Sequence, residues 1–391
     1  MWIEVKDFSQ RLQNNTSSNK GIKRMKRIFT FLGLTIFTFI SCSENNSGAK
    51  KTEDFETDNE YKTETKNVGI VTNDEHTISS SSDIIDPITY TKEFDLYLIR
   101  DLEESANKKV GFISLSDIYP LGEHPDSLAI PSLENVDKDS LQYFKLNLTY
   151  RKRFLSKTNI SESDSVFIYD YSTDVLLSFP VRKLNVVAYL NIYMDINDCP
   201  CSQYDFMIGF EIVRKYLKGL GENFSKALVF IGKENPFVTG QMKAIVWQKI
   251  KPEKFPLEKS NLTEVQKQNN DENKQAYLCE TDNYQIFIQD YIEPDNPIQV
   301  QDRHLIVIEK QRGNVVNETM FSNSEGTSAT PLNYGINNSN FHDLKEQWTG
   351  KLFKDKPEVI FGFEWVSFGC PIINYLNSQD KCIQINCDNR H

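Results

Sequence analysis

Two glutamates in matching words are the first residues here with the means to do chemistry: Glu211 in MIGFEI and Glu364 in VIFGFEW. Side chains alternate along an extended strand, so Ile208, Phe210 and Ile212 share one face while Gly209 and Glu211 share the other. Phe361, Phe363 and Trp365 oppose Gly362 and Glu364 in the same way. Each glutamate thus stands beside a position without a side chain, where a ligand or another backbone approaches closely. Two carboxylates meeting in one cleft would provide the acid and base of a glycoside hydrolase. The structural alternative pairs Arg182 with Glu211 and Arg303 with Glu364 across neighbouring strands, as ion pairs inside the sheet.

The other reactive side chains point less clearly. Cys199, Cys201, Cys279, Cys370, Cys382 and Cys387 are disulfide candidates if the chain is exported. In KCIQINC, alternation turns Cys382 and Cys387 to opposite faces, so these two are not expected to bond to each other. A zinc site would need histidine partners, and C-x-C at Cys199 and Cys201 does not match the usual C-x2-C spacing. His124, His304, His342 and His391 show no spacing that joins one of them to a serine or cysteine nucleophile. HExxH, G-x-S-x-G and the phosphate-cradling G-x4-G-K-[ST] are absent. Acidic turns at Asp170 and Asp174 read as turn formers rather than calcium loops, since no glycine and distal glutamate accompany them. No cofactor or metal is expected.

The strongest address lies near the beginning. MKRIFTFLGLTIFTFISC, residues 25 to 42, has a basic start at Lys26 and Arg27 and an apolar run from Ile28 to Ser41, about fourteen residues long. That is too short to span a bilayer of ~30 Å as a helix. Phe39, Ile40, Ser41 and Cys42 resemble the lipobox of bacterial lipoproteins. The resemblance implies cleavage before Cys42, removal of residues 25–41 as a signal peptide, and acylation of the cysteine. Two or three acyl chains, at about 0.8 kcal/mol per buried CH2, make a stable anchor. Residues 1–24 are polar and precede an ideal signal, so the expected start is Met25. Serine after the cysteine is associated with the outer membrane in Gram-negative lipoproteins, which implies an envelope location there.

Composition narrows the partners. Residues 1 to 42 hold seven of the 44 basic and two of the 55 acidic groups, which leaves 37 against 53 and a net charge of −16. Nucleic acid requires a basic footprint, so it is excluded as a partner. Residues 42–90 are rich in Ser, Thr, Asn, Glu and Lys, and bury too little apolar surface to fold. They read as a flexible acidic tether reaching roughly 40 Å.

The remaining chain predicts an α+β fold, mostly antiparallel β-sheet. Strands are expected at FDLYLI (94–99), VGFISL (110–115), SVFIYDY (165–171), NVVAYLNIYM (185–194), DFMIGFEI (205–212), ALVFIG (227–232) and AIVWQKI (244–250). QIFIQDYI (285–292), HLIVIEK (304–310), EVIFGFEWV (358–366) and CIQINC (382–387) complete the set. One helix is expected at about 139–156, capped by Asp139 or Ser140, and a shorter one over 213–220. The charged, Pro-flanked stretch 257–276 reads as a linker between two β-rich halves, 91–256 and 277–391. The halves echo each other: Phe167, Ile168, Asp170, Tyr171 and Arg182 recur as Phe287, Ile288, Asp290, Tyr291 and Arg303, displaced by about 120 positions. A diverged duplication would explain the echo, and so would the chance repetition of short words. The expected activity is that of a lipid-anchored binding or accessory module for a protein or glycan. An immunity or inhibitor lipoprotein against an exported toxin is the alternative, and a carboxylate-dependent hydrolase a weaker one.

Overall fold

The computed structural model describes residues 95–104, 108–122, 128–134, 136–198, 200–262, 273–293, 296–334, 345–376 and 382–389. The signal segment, Cys42, the tether and Cys199 lie outside the described residues. The chain divides into two units, Met1–Ser82 and Asp83–His391, and the described residues all belong to the second.

Alternation of apolar residues builds this unit as β-rich α+β in mostly antiparallel sheets. A five-stranded sheet runs in the order Arg100–Glu104, Lys108–Ser114, Phe206–Val213, Asn185–Leu190, Tyr143–Lys145. Its central strand, Phe206–Val213, is buried on both faces. Phe206, Ile208, Phe210 and Ile212 enter the main core with Val186 and Ala188, while Met207 packs on the far face with Phe112, Val187 and Tyr189.

A nine-stranded sheet takes Met242–Ala244, Trp348–Gly350, Val359–Phe361, Ile372–Tyr375, Ile383–Asn386, Leu96–Leu98, Ala227–Gly232, Ser165–Asp170 and Val175–Pro180 in that order. Its one parallel contact joins Leu96–Leu98 to Ile383–Asn386. A third sheet is an antiparallel meander of Gln248–Ile250, Lys274–Glu280, Tyr284–Glu293, Asn296–Glu309 and Val315–Ser322. Thr327–Ala329 and Glu364–Val366 form a two-stranded ribbon.

The helix differs from expectation. It begins at Leu148 and ends at Lys157, capped by Asn147, whose side chain accepts hydrogen bonds from the Thr149 and Tyr150 amides. Residues 138–140 form only a 3-10 turn, and Tyr143–Lys145 is an edge strand paired with Asn185–Leu190. Aromatic Tyr143 and Phe144 find cross-strand partners there, and a strong cap waits at Asn147. The second expected helix shrinks to a 3-10 turn over Arg214–Tyr216, because Val213 is still strand.

The boundary at 257–276 does not separate two folding halves. The nine-stranded sheet draws strands from both sides of it. Part of the stretch is packed: Phe255, beside its start, sits in a core with Ala276, Phe287 and Ile306, and a strand begins at Lys274; residues 263–272 lie outside the described residues. The echoed words also occupy different settings. Asp170 ends a strand and accepts from the Ser172, Thr173 and Gly221 amides, which makes it a turn former. Asp290 lies mid-strand in the meander and faces Arg303. Arg182 stands in a 3-10 turn, whereas Arg303 is within a strand.

Candidate functional site

The two glutamates do not share a site. Glu211 is buried on the five-stranded sheet, where its carboxylate accepts from Tyr143 Oη at 2.6 Å and Asn185 Nδ2 at 2.8 Å, with Lys145 Nζ at 3.3 Å. Asn185 lies directly opposite it in the ladder. Arg182 is exposed in its turn, so the expected Arg182–Glu211 pair is replaced by this Tyr-Asn-Lys set. The other expected pair is also replaced: Arg303 binds Asp290, through Nε at 2.7 Å and Nη2 at 3.0 Å, rather than Glu364. Both glycines are filled by another backbone. A Cβ on Gly209 would lie 1.9 Å from the Ile113 carbonyl oxygen, and one on Gly362 would lie 2.0 Å from that of Glu346.

At Gly362, φ is +90°, and this left-handed residue breaks the expected strand 358–366 in two. Val359–Phe361 stays in the nine-stranded sheet while Glu364–Val366 crosses to the ribbon. Phe361 and Phe363 are buried as alternation requires, but Trp365 is turned out and 51% exposed. Glu364 borders an apolar cleft of about 570 Å³ formed by Leu98, Leu228, Phe321, Phe363 and Ile372, with the Lys226–Glu346 ion pair (2.6 Å) at its edge. Burial there pushes the Glu364 carboxyl above the ordinary glutamate value. Glu211 does not border this cleft.

Cysteine chemistry is divided. Cys370 and Cys387 form a disulfide (S–S 2.04 Å, Cα–Cα 5.5 Å), and Cys201 is disulfide-bonded as well. Cys279 and Cys382 carry free thiols, and burial raises that of Cys279. His304 is fully buried, with Nε2 2.8 Å from Glu318 Oε1. Ser260 Oγ donates to that same carboxylate oxygen at 2.5 Å. In the order Ser-Glu-His the serine meets the carboxylate rather than the histidine, which is not the Ser-His-acid arrangement of a catalytic triad. Burial would raise the Glu318 carboxyl, but the hydrogen bonds from Ser260, the Asn261 amide and His304 outweigh it and hold the group below its ordinary value.

A second cleft, of about 770 Å³, opens at one end of the meander. Cross-strand register explains its floor. One face of the meander is apolar through Ile286 opposite Val307 and Ile288 opposite Leu305, then becomes polar at the row Gln275, Asp290, Arg303. One residue further, a register shift between Tyr291 and Ile292 marks a bulge that bends the hairpin away from regular pairing. Arg303 is 1% exposed, and Nη1 also donates to the carbonyls of Thr330 (2.7 Å) and Phe363 (3.2 Å). Gln347 donates to the Thr330 hydroxyl and the Pro331 carbonyl, both at 2.8 Å, and Asn333 donates to the carbonyls of Ile245 and Gln347. This buried polar network holds residues 330–333 as one wall. Trp365, the cross-strand partner of Ser328, forms part of the rim beside that wall, and Tyr334, 55% exposed, lies 5.9 Å from the Tyr277 ring in an edge-on contact.

Sequence reasoning placed Asp290 and Trp365 in strands and Arg303 just before another, and paired Arg303 with Glu364 instead of Asp290. Tyr277 and Tyr334 escaped notice altogether. The available signal was the lone Asp290 and Arg303 interrupting the apolar face of two long strands. Comparison with known protein families, curated proteins and solved structures finds no match for this chain.

Proposed function

We propose that the chain is a lipid-anchored protein of the cell envelope, exported by residues 25–41 and acylated at Cys42, whose β-rich unit binds a ligand in the aromatic cleft and does no covalent chemistry on it. The observation that carries this reading is the cleft itself. Its volume is that of a small-molecule site, its walls are held by a buried hydrogen-bond network, and its two charged groups are spent on each other. A general acid or base must be free to exchange its proton with a substrate. Asp290 is held through both oxygens by the Nε and Nη2 edge of a guanidinium instead, and Glu211 is enclosed by Tyr143, Asn185 and Lys145 elsewhere. No helix among the described residues is long and apolar enough to cross a membrane.

Metabolic labelling with a fatty-acid analogue tests the anchor: the wild type is marked and Cys42→Ser is not. Capture of binding partners by the detergent-extracted full chain, with and without Trp365→Ala, tests the cleft. The net charge of −16 favours a second reading, an inhibitor of a basic exported toxin. A basic protein captured equally by wild type and Trp365→Ala would select that reading.

A further inference from the structure

We infer that the aromatic cleft is a binding site for an uncharged oligosaccharide of hexopyranose units, a specification that rests on the binding reading above. Three observations carry it. The first is that two large aromatics, Tyr334 and Trp365, remain about half exposed where the cleft opens, although both have buried aromatic neighbours nearby in Tyr277 and Phe363. An exposed ring beside a polar cleft offers a flat apolar face with a polar edge. The C–H face of a pyranose is the complementary surface, since the same sugar ring is apolar across its axial hydrogens and polar around its rim.

The second observation is the kind of polar group present. Gln275, Asn296, Gln299 and Asn323 supply four side-chain amides, and Ser328 a hydroxyl. An amide presents a donor and an acceptor side by side in one plane. A pair of adjacent sugar hydroxyls needs that combination, because each hydroxyl both donates and accepts. Asn296 Nδ2 already donates to Gln299 Oε1 at 3.0 Å, and Tyr277 Oη donates to Gln275 Oε1 at 2.8 Å, so these amides are oriented before any ligand arrives.

The third is charge. Among the described residues lining the cleft, Asp290 and Arg303 are the only ionised side chains, and they neutralise each other within hydrogen-bond distance. Lys249, outside that lining, donates to Gln275 Oε1 at 3.2 Å, and the lining itself offers a phosphorylated, sulfated or uronic ligand no unspent cation and a cationic ligand no unspent carboxylate. The floor is a sheet face whose backbone groups are engaged in the ladder, so an extended peptide cannot add itself there as a strand.

The test presents the detergent-extracted full chain to an array of neutral gluco-, manno- and galacto-oligosaccharides printed beside sialylated, sulfated and uronic glycans. Retention on at least one neutral class is expected. Trp365→Ala and Tyr334→Ala should each weaken it at least tenfold with an unchanged melting temperature, Trp365→Phe should keep most of it, and Tyr216→Ala, an exposed tyrosine that lines neither cleft, should have no effect. Silence on the neutral glycans, binding confined to acidic ones, or indifference to both aromatic variants overturns the inference. A captured peptide partner released by Trp365→Ala would overturn it while leaving the binding reading intact. New reducing ends appearing on a bound glycan would overturn the non-catalytic reading instead.

Discussion

Asp290→Asn should be among the most costly single changes in the meander, and the reason can be followed atom by atom. Arg303 is buried to 1% exposure, and its charge is met by the two oxygens of Asp290 at 2.7 and 3.0 Å. Asparagine keeps one acceptor but turns an NH2 towards the second guanidinium nitrogen, so a buried cation loses its countercharge. Breaking such a pair from one side costs about 3–5 kcal/mol. The double variant Asp290→Leu with Arg303→Met removes both charges. It still withdraws the Nη1 donor from two carbonyls, but Phe363 keeps the Thr330 amide at 3.0 Å, so chiefly the Thr330 oxygen is orphaned. One orphaned carbonyl costs about 1–3 kcal/mol. The double variant should therefore be more stable than Asp290→Asn alone. Urea unfolding of the full chain, followed by the fluorescence of buried Trp247 and Trp348 and by circular dichroism, measures the order. A single-variant loss below about 1 kcal/mol, or a double-variant loss equal to the sum of the two singles, would refute the reasoning, since independent groups add and coupled ones do not.

Three further outcomes follow from groups outside the cleft. Glu211→Gln should cost about 1–3 kcal/mol in the same unfolding assay, because an amide nitrogen would face donors from Tyr143, Asn185 or Lys145. Glu364 has its folded-state value raised by burial, so its ionisation opposes folding. The contribution of Glu364 to wild-type stability should fall as pH climbs above 4.5, so the melting temperature of Glu364→Gln relative to wild type should rise over that range. Glu318 has the opposite sign. Its folded-state value is lowered, its contribution is present above 4.5 and lost as pH falls, and Glu318→Gln should be destabilised near neutrality with the deficit shrinking in acid.

Much of the sheet framework was legible because aromatic and β-branched residues alternate in it. Phe206–Val213 and Tyr284–Glu293 read directly from their patterns, since one register buries every large side chain. Val175–Pro180 and Val315–Ser322 did not, because they are edge strands of intermediate burial and carry little alternation. The helix start was misplaced since Leu141, Phe144 and Leu148 fit a helical spacing while pairing with Asn185–Leu190 claims Phe144 for a strand. The ion pairs failed for a different reason. Cross-strand partners depend on which strands become neighbours and in what register: no local pattern says that Asn185 will face Glu211, and the polar breaks at Asp290 and Arg303 pair only once the register of their hairpin is known. The cleft was hidden for the same cause, as Gln275, Tyr334 and Trp365 come from three separate elements.

The parallel contact between Leu96–Leu98 and Ile383–Asn386 has a kinetic consequence. These strands lie beside one another in the interior of the nine-stranded sheet, and the clasp is reinforced by Arg100 donating to the Cys387 carbonyl across 287 positions. Such a closure is the slowest kind of contact to form, because its loop entropy is lost before its neighbours reward it. A chain produced or threaded from its amino end cannot complete this sheet until residue 386 has emerged. The edge of Leu96–Leu98 that faces away from Ala227–Gly232 is open until then, and a chain paused short of that point exposes it to other strands. Folding of this unit is therefore gated by delivery of its last strand, so any agent that stalls delivery late will meet a species prone to edge-to-edge association rather than a nearly native one.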